Sequence, residues 1–160
     1  MKRPLEELKP KTDRDCCLEE MGELVRRLVR AFQMFERDRI RVMGFTFSQC
    51  YTLLEASRED GLSMNDLSER MNLDCSTMTR VVDLLVRDGW LERRRGSDDR
   101  RKMLVYLTAE GKSMASRIRE DIEAYYREVL GNLPEGRVDE VLGAAMLLQE
   151  ALRKSNPNCC

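Results

Sequence analysis

Apolar residues in the first part of the chain recur at three- and four-residue steps: Leu18, Met21, Leu24, Val25, Leu28, Val29, Phe32 and Phe35, with glutamates and arginines between them. That period predicts one long amphipathic helix from Asp13 to about Val42, broken at Gly44. A helix of roughly 30 residues is about 45 Å long. A domain this small cannot cover it, so a second chain is expected against it. Met1 to Thr12, with Pro4 and Pro10, reads as a flexible arm.

The helical spacing resumes at Phe47, Tyr51, Leu53, Leu54 and Ala56, with Thr46 or Ser48 as cap and Gly61 as stop. Ser63-Met64-Asn65-Asp66 resembles a capping box, opening a short helix with Met64, Leu67 and Met71 on one face. Asn72-Leu73-Asp74 is the turn, and Asp74 or Ser76 caps the helix that follows, from about Cys75 to Arg87. Met78, Val81, Val82 and Leu85 make its apolar stripe. Ser76, Arg80, Asp83 and Arg87 fall opposite, with Thr77 and Thr79 at the flanks. Gly89 is placed to end it in the left-handed conformation.

Trp90 and Leu91 lead into a hairpin, whose return strand alternates Met103, Val105 and Leu107 with Leu104 and Tyr106. Thr108 caps a helix carried by Met114, Ile118, Ile122, Tyr125, Tyr126 and Val129 to Gly131. Pro134 opens the last one, with Val138, Val141, Leu142, Ala145, Leu148 and Leu152 on one face. The expected fold is mainly α with a small β-hairpin. It is a winged helix-turn-helix over 45–108, flanked by dimerisation helices over 13–44 and 109–154, with an arm at 1–12 and a tail at 155–160.

Charge changes the picture locally. The whole chain holds 28 basic and 29 acidic residues, a net of −1, which says nothing for nucleic acid. Between Glu92 and Lys102, however, six basic residues (Arg93, Arg94, Arg95, Arg100, Arg101 and Lys102) face three acidic ones. A cationic protrusion on a neutral body suits a protein that meets phosphate at one face. Such dense like charge is expected to gain nothing for folding, whereas a narrow minor groove would reward it. Asp98 or Asp99 is expected to pair with a neighbouring arginine and orient its guanidinium. On the preceding helix Ser76, Thr77 and Thr79 can bond phosphate or base edges, and Arg80 suits a bidentate contact to guanine.

The chain has no histidine. That removes histidine acid–base chemistry, Ser-His and Cys-His nucleophile pairs and histidine metal ligands. With no Gly-rich phosphate loop, nucleophile elbow or dinucleotide fingerprint, an enzyme is not expected. No apolar run approaches the ~18 residues of a membrane span. The charged N-terminus has no signal-peptide core, so a cytoplasmic location with reduced thiols is expected.

The runs Ser76-Thr77-Met78-Thr79-Arg80-Val81-Val82-Asp83-Leu84-Leu85, Asp88-Gly89-Trp90-Leu91-Glu92-Arg93, Asp98-Asp99-Arg100-Arg101 and Val105-Tyr106-Leu107-Thr108 resemble the MarR family of bacterial transcriptional regulators. The resemblance covers essentially Asp13 to Lys154. It implies an obligate homodimer held by helices from both termini. It implies double-stranded DNA as partner, in the form of a palindromic operator, usually with repression of a nearby gene. Release follows a small-molecule or oxidant signal. It also implies that Asp99 and Arg101 form the wing-tip pair, with Arg101 in the minor groove, and that Thr79 and Arg80 match the recognition-helix positions. The DNA-contacting set expected is Ser76, Thr77, Thr79, Arg80, Arg95, Asp99, Arg100 and Arg101.

Cysteines suggest what is sensed. Cys16 and Cys17 open the first helix and Cys159 and Cys160 close the chain. In the resembled fold the chain ends lie close together. The four thiols could then converge on a soft metal or metalloid, or form disulfides on oxidation. Redox-sensing relatives carry their cysteine deeper in the first helix, so Cys16 and Cys17 depart from that pattern. Cys75, at the start of the recognition helix, is a separate candidate. The competing effector is an aromatic small molecule among Phe32, Phe35, Met43, Phe45, Phe47 and Tyr51, with Arg39 or Arg41 for its carboxylate. No cofactor is required and no metal site is certain. The alternative from another class is a winged-helix protein-interaction module without DNA binding; a third is the dimerisation domain of an enzyme.

Overall fold

The computed structural model describes residues 17–96 and 103–155. The chain divides into two compact units, Met1–Gly44 and Phe45–Cys160.

In the first unit, α1 spans Leu18–Phe35, with Glu19 and Glu20 in its first turn, where the helix dipole favours carboxylates. Glu23 accepts from Arg26 and Arg27 one turn on. The helical path is not uniform, as the sequence pattern suggested. It widens into a π-helical turn at Glu36–Ile40, then tightens to a 3-10 turn at Arg41–Met43 before Gly44. Phe35 and Ile40 are buried, while Leu18, Met21, Leu24, Leu28, Val29 and Phe32 are exposed.

The second unit begins with α2, Phe47–Ala56, closed at its start by a capping box of Thr46 and Gln49. It ends at Ala56, not at Gly61. Gly61 belongs to the turn that feeds β1, Leu62–Ser63. Ser63 and Asp66 form the second capping box, opening α3, Met64–Met71. Asn72 turns the chain in the left-handed conformation, and Asp74 caps α4, Cys75–Arg87. The end of α4 is a Schellman turn: Trp90 N–H reaches the Leu85 carbonyl at 2.9 Å and Gly89 N–H the Val86 carbonyl at 3.1 Å. That geometry puts Gly89 at φ +81°, which a side chain would resist.

Strands β2, Leu91–Arg95, and β3, Met103–Leu107, form the hairpin. The fold is not helix-only outside it: β1 pairs antiparallel with β3, giving a three-stranded sheet in the order β1-β3-β2. Thr108 then caps α5, Ala109–Gly131. Gly111 lets this helix approach the hairpin base, since a Cβ there would lie 2.0 Å from the Trp90 carbonyl oxygen. The last helix, α6, is Val138–Ser155. It starts after Pro134, because Gly136 adopts positive φ between them.

Leu53 of α2, Leu67 of α3, Met78, Val82 and Leu85 of α4, Leu62, Leu91 and Val105 of the sheet and Ile118 of α5 are fully buried. Each such side chain contributes about 1.5–3 kcal/mol relative to exposure. This core fixes α4 against α2, α3 and the sheet, and leaves one edge of α4 outside. No residue of α6 is buried. Among the described residues no helix is long and apolar enough to cross a membrane.

Candidate nucleic-acid interface

The period of α4 separates its two sides. Met78, Val82 and Leu85 are buried and Val81 is half-buried, while Ser76, Thr79, Arg80, Asp83 and Arg87 are exposed and Thr77 is half-buried. At the start of the helix the Asp74 carboxylate accepts the Ser76 hydroxyl, the Thr77 hydroxyl at 2.6 Å and the Thr77 N–H at 2.9 Å. Those donors, the Ser76 hydroxyl foremost, hold the Asp74 carboxyl well below the usual carboxylate range. Thr79 donates back to the Cys75 carbonyl at 2.7 Å. The hydroxyls expected to meet phosphate are therefore already donating within the helix. Arg80 has no ion-pair or hydrogen-bond partner among the described residues. Arg87 is held by Asp88 at 2.8 Å.

The hairpin register sets the wing. Leu91 faces Leu107, Glu92 faces Tyr106, Arg93 faces Val105, Arg94 faces Leu104 and Arg95 faces Met103. Alternation places Arg93 on the same side as buried Leu91, and there it meets Asp83 of α4 at 2.7 Å. Arg94, on the other side, pairs with Glu92 and lies over the Tyr106 ring, 5.5 Å from its centroid. The expectation that these arginines gain nothing for folding is corrected: two of them hold the hairpin to α4 and to its own return strand. Arg95 is exposed at the end of β2. Asp98, Asp99, Arg100, Arg101 and Lys102 lie outside the described residues.

Of the candidate sensing thiols, Cys17 is half-buried at the start of α1, and Cys16, Cys159 and Cys160 lie outside the described residues. Among the described residues no three His, Cys, Asp or Glu side chains are grouped to hold a metal ion. Cys50 is fully buried, and burial pushes its thiol up to about 12. Cys75 is exposed, accepting from the Ser68 hydroxyl at 3.5 Å and donating to Asn65 Oδ1 at 3.7 Å.

Of the aromatic set, Phe32, Phe35, Met43, Arg39 and Arg41 belong to the first unit. Phe45, Phe47 and Tyr51 belong to the second. Phe45 meets Trp90 edge-on at 5.6 Å, and Phe47 stacks on Tyr51 at 4.2 Å. Burial first, then the neighbouring Tyr126 phenol, raises the Tyr51 hydroxyl above its ordinary value.

Two features escaped the sequence reading. One is Asp83 as the anchor of the wing, since nothing in its spacing names Arg93 as partner. The other is a cleft of about 370 Å³ between the end of α2 and α5, lined by Ser57, Asp60, Lys112, Ser116 and Arg119 among others. Arg119 donates to Ser57 there at 2.7 Å. Its signal was the i, i+4, i+7 spacing of Lys112, Ser116 and Arg119 on one face of α5.

The chain resembles known proteins in sequence and in fold. The HTH-type transcriptional regulator YdgJ of Bacillus subtilis is 29% identical over 101 residues, which cover 58% of this chain and 62% of that protein. The chain thus spans less than two thirds of that relative's length. A MarR transcriptional regulator from Methanosarcina mazei superposes with a TM-score of 0.70 at 25% identity, over 85% of this chain and 98% of that one. FabT of Streptococcus pneumoniae, solved in complex with DNA, gives a TM-score of 0.74 at 16% identity, over 84% of this chain and 98% of that one, and shares the fold. The MarR family model matches residues 45–103, which hold the whole of α2, β1, α3, α4 and β2. Over this reader, and in its fold, the chain is similar to the MarR family.

Proposed function

We infer that the chain is a sequence-specific DNA-binding transcriptional regulator, acting as a homodimer on a palindromic operator and most simply as a repressor. One observation carries this. The packed α4 presents a polar outer edge with a guanidinium, Arg80, that has no partner among the described residues, and an Arg93–Asp83 ion pair fixes an arginine-bearing wing beside it. A helix sized for the major groove and a cationic hairpin for the groove beside it are the parts such a reader needs. The DNA-bound structure of FabT, with the same fold, supports the reading. On it Arg80 takes guanine, Arg95 and Arg100 contact the backbone, and Asp99 orients Arg101 toward the minor groove. No cofactor is required. Release by a small-molecule, soft-metal or oxidant signal belongs to the same reading. Half-buried Cys17 and the Phe47–Tyr51 stack are the described features that bear on it.

The test is binding to duplex DNA across a salt series, with Arg80→Ala alongside. Neutralising Z phosphates gives a log–log slope of about −0.9Z. Arg80→Ala is expected to cost about 1–3 kcal/mol at the cognate site and little on random duplex. A flat salt response would instead favour the protein-interaction module.

A further inference from the structure

Along the outer edge of α4 the hydroxyl protons are engaged within the protein. Ser76 gives its proton to the Asp74 carboxylate, Thr77 gives its own to the same carboxylate, and Thr79 gives its own to the Cys75 carbonyl. The direction is forced, because an ionised carboxylate and a peptide carbonyl only accept. A serine or threonine hydroxyl carries one proton and two lone pairs. Ser76 and Thr79 are exposed, so lone pairs are what their hydroxyls have left to offer a ligand. Thr77 is half-buried and takes no part.

We propose that Ser76 and Thr79 are specificity-determining acceptors, each selecting a base that displays an exocyclic amino group, adenine N6 or cytosine N4, in the major groove. The proposal rests on the reading that α4 enters that groove. Guanine O6 and N7 and thymine O4 are acceptors, as is phosphate, and would meet these hydroxyls lone pair to lone pair. Every base pair carries one such amino group, so the choice fixes which strand bears it. Turning the Ser76 proton outward would break a charge-assisted bond, stronger than a neutral one. It would also strip a donor from a carboxylate seated at the positive end of the helix. The Thr79 bond, to a neutral carbonyl, is the weaker of the two. Arg80 is the counterpart: it carries donors only and has no partner among the described residues, and it takes the acceptors of guanine. The edge is thus sorted into acceptors at 76 and 79 and a donor at 80.

The experiment is a protein–DNA mutant cycle with the full chain. Selection from random duplexes first defines the wild-type site. Ser76→Ala and Thr79→Val then locate the base pair each hydroxyl reads. At that pair the amino group is deleted (purine for adenine, pyrimidin-2-one for cytosine), or the purine N7 is replaced by carbon. Removing the amino group should weaken wild-type binding about three- to tenfold beyond its effect on the matching variant, with N7 replacement leaving that difference intact. Thr79→Ser should restore the wild-type response. Coupling to N7, or no coupling at any pair, overturns the proposal and leaves the DNA reading standing. A wild-type chain that enriches no sequence overturns both.

Discussion

At the scale of single residues, thiol chemistry separates cysteines that composition treats alike. Cys50 lies at 0% exposure in α2 and its thiol is pushed up to about 12 by desolvation. At neutral pH it is therefore protonated as well as inaccessible, and the thiolate is the reactive form. Cys75 is exposed at the first position of α4, beside the edge assigned to DNA. Brief iodoacetamide treatment of the folded chain should label Cys75 and spare Cys50, with both labelled in guanidinium, as read by peptide mass mapping. The treated protein should lose duplex binding, and Cys75→Ser should protect it. Retention of binding by fully labelled protein would move the groove contact away from the start of α4. The position of Cys75 was legible in the sequence, since Asp74 announces the helix start one residue earlier. The burial of Cys50 was not, because a single cysteine on an apolar face carries no sign of how deeply the face is covered. The hydroxyl directions at Ser76 and Thr79 were equally hidden. The residue types can be read from the sequence, but which group receives each proton is decided by backbone geometry.

At the scale of elements, the wing is held by a bond between parts of the chain that sequence spacing does not connect. Arg93 is 31% exposed and Asp83 53%, so solvent screens the pair and its worth to stability is at most about 1 kcal/mol. Its worth to DNA binding is larger if the wing must meet one groove while α4 meets the next. Asp83→Ala and Arg93→Ala should each weaken duplex affinity by more than they lower urea-unfolding stability. The exchanged pair Asp83→Arg with Arg93→Asp should recover part of that affinity. An exchange no better than the single variants would show that the pair does not set the wing. The bounds of α4 were readable at both ends because chemistry marks both, Asp74 accepting from Thr77 N–H and Gly89 closing the Schellman turn. Strand β1 was not readable. Two residues have no period, and Leu62 and Ser63 find Val105 and Leu104 only after the chain has returned through the wing. Gly61 and Pro134 misplaced two helix bounds for one reason: each is a breaker or starter residue several positions from the hydrogen bonds that end α2 or begin α6.

At the scale of the whole molecule, α6 is an amphipathic helix with no residue buried. Val141, Leu142, Ala145, Leu148 and Leu152 fall within one stripe at about 100° per residue, while Leu147 lies on the far side. Yet Leu142 is 51% exposed and Leu147 75% exposed, so exposure alone does not say which face another chain would cover. The period does. A stripe sustained over the length of a helix calls for an apolar surface to lie against, and an isolated exposed leucine does not. Two-fold association lets one such stripe cover its own copy, and it would set two α4 helices to meet half-sites about 34 Å apart. Leu142→Glu places two carboxylates, one from each copy, in that seam without partners; one alone costs about 3–5 kcal/mol in a buried setting, so the dimer dissociation constant should rise by at least about two decades. Leu147→Glu, the same change on the other side, should leave assembly untouched. Sedimentation velocity across a concentration series separates the two, and operator binding should follow the dimer fraction. If Leu147→Glu dissociates the chain and Leu142→Glu does not, the seam runs along the opposite face, and the half-site spacing derived from it falls with it.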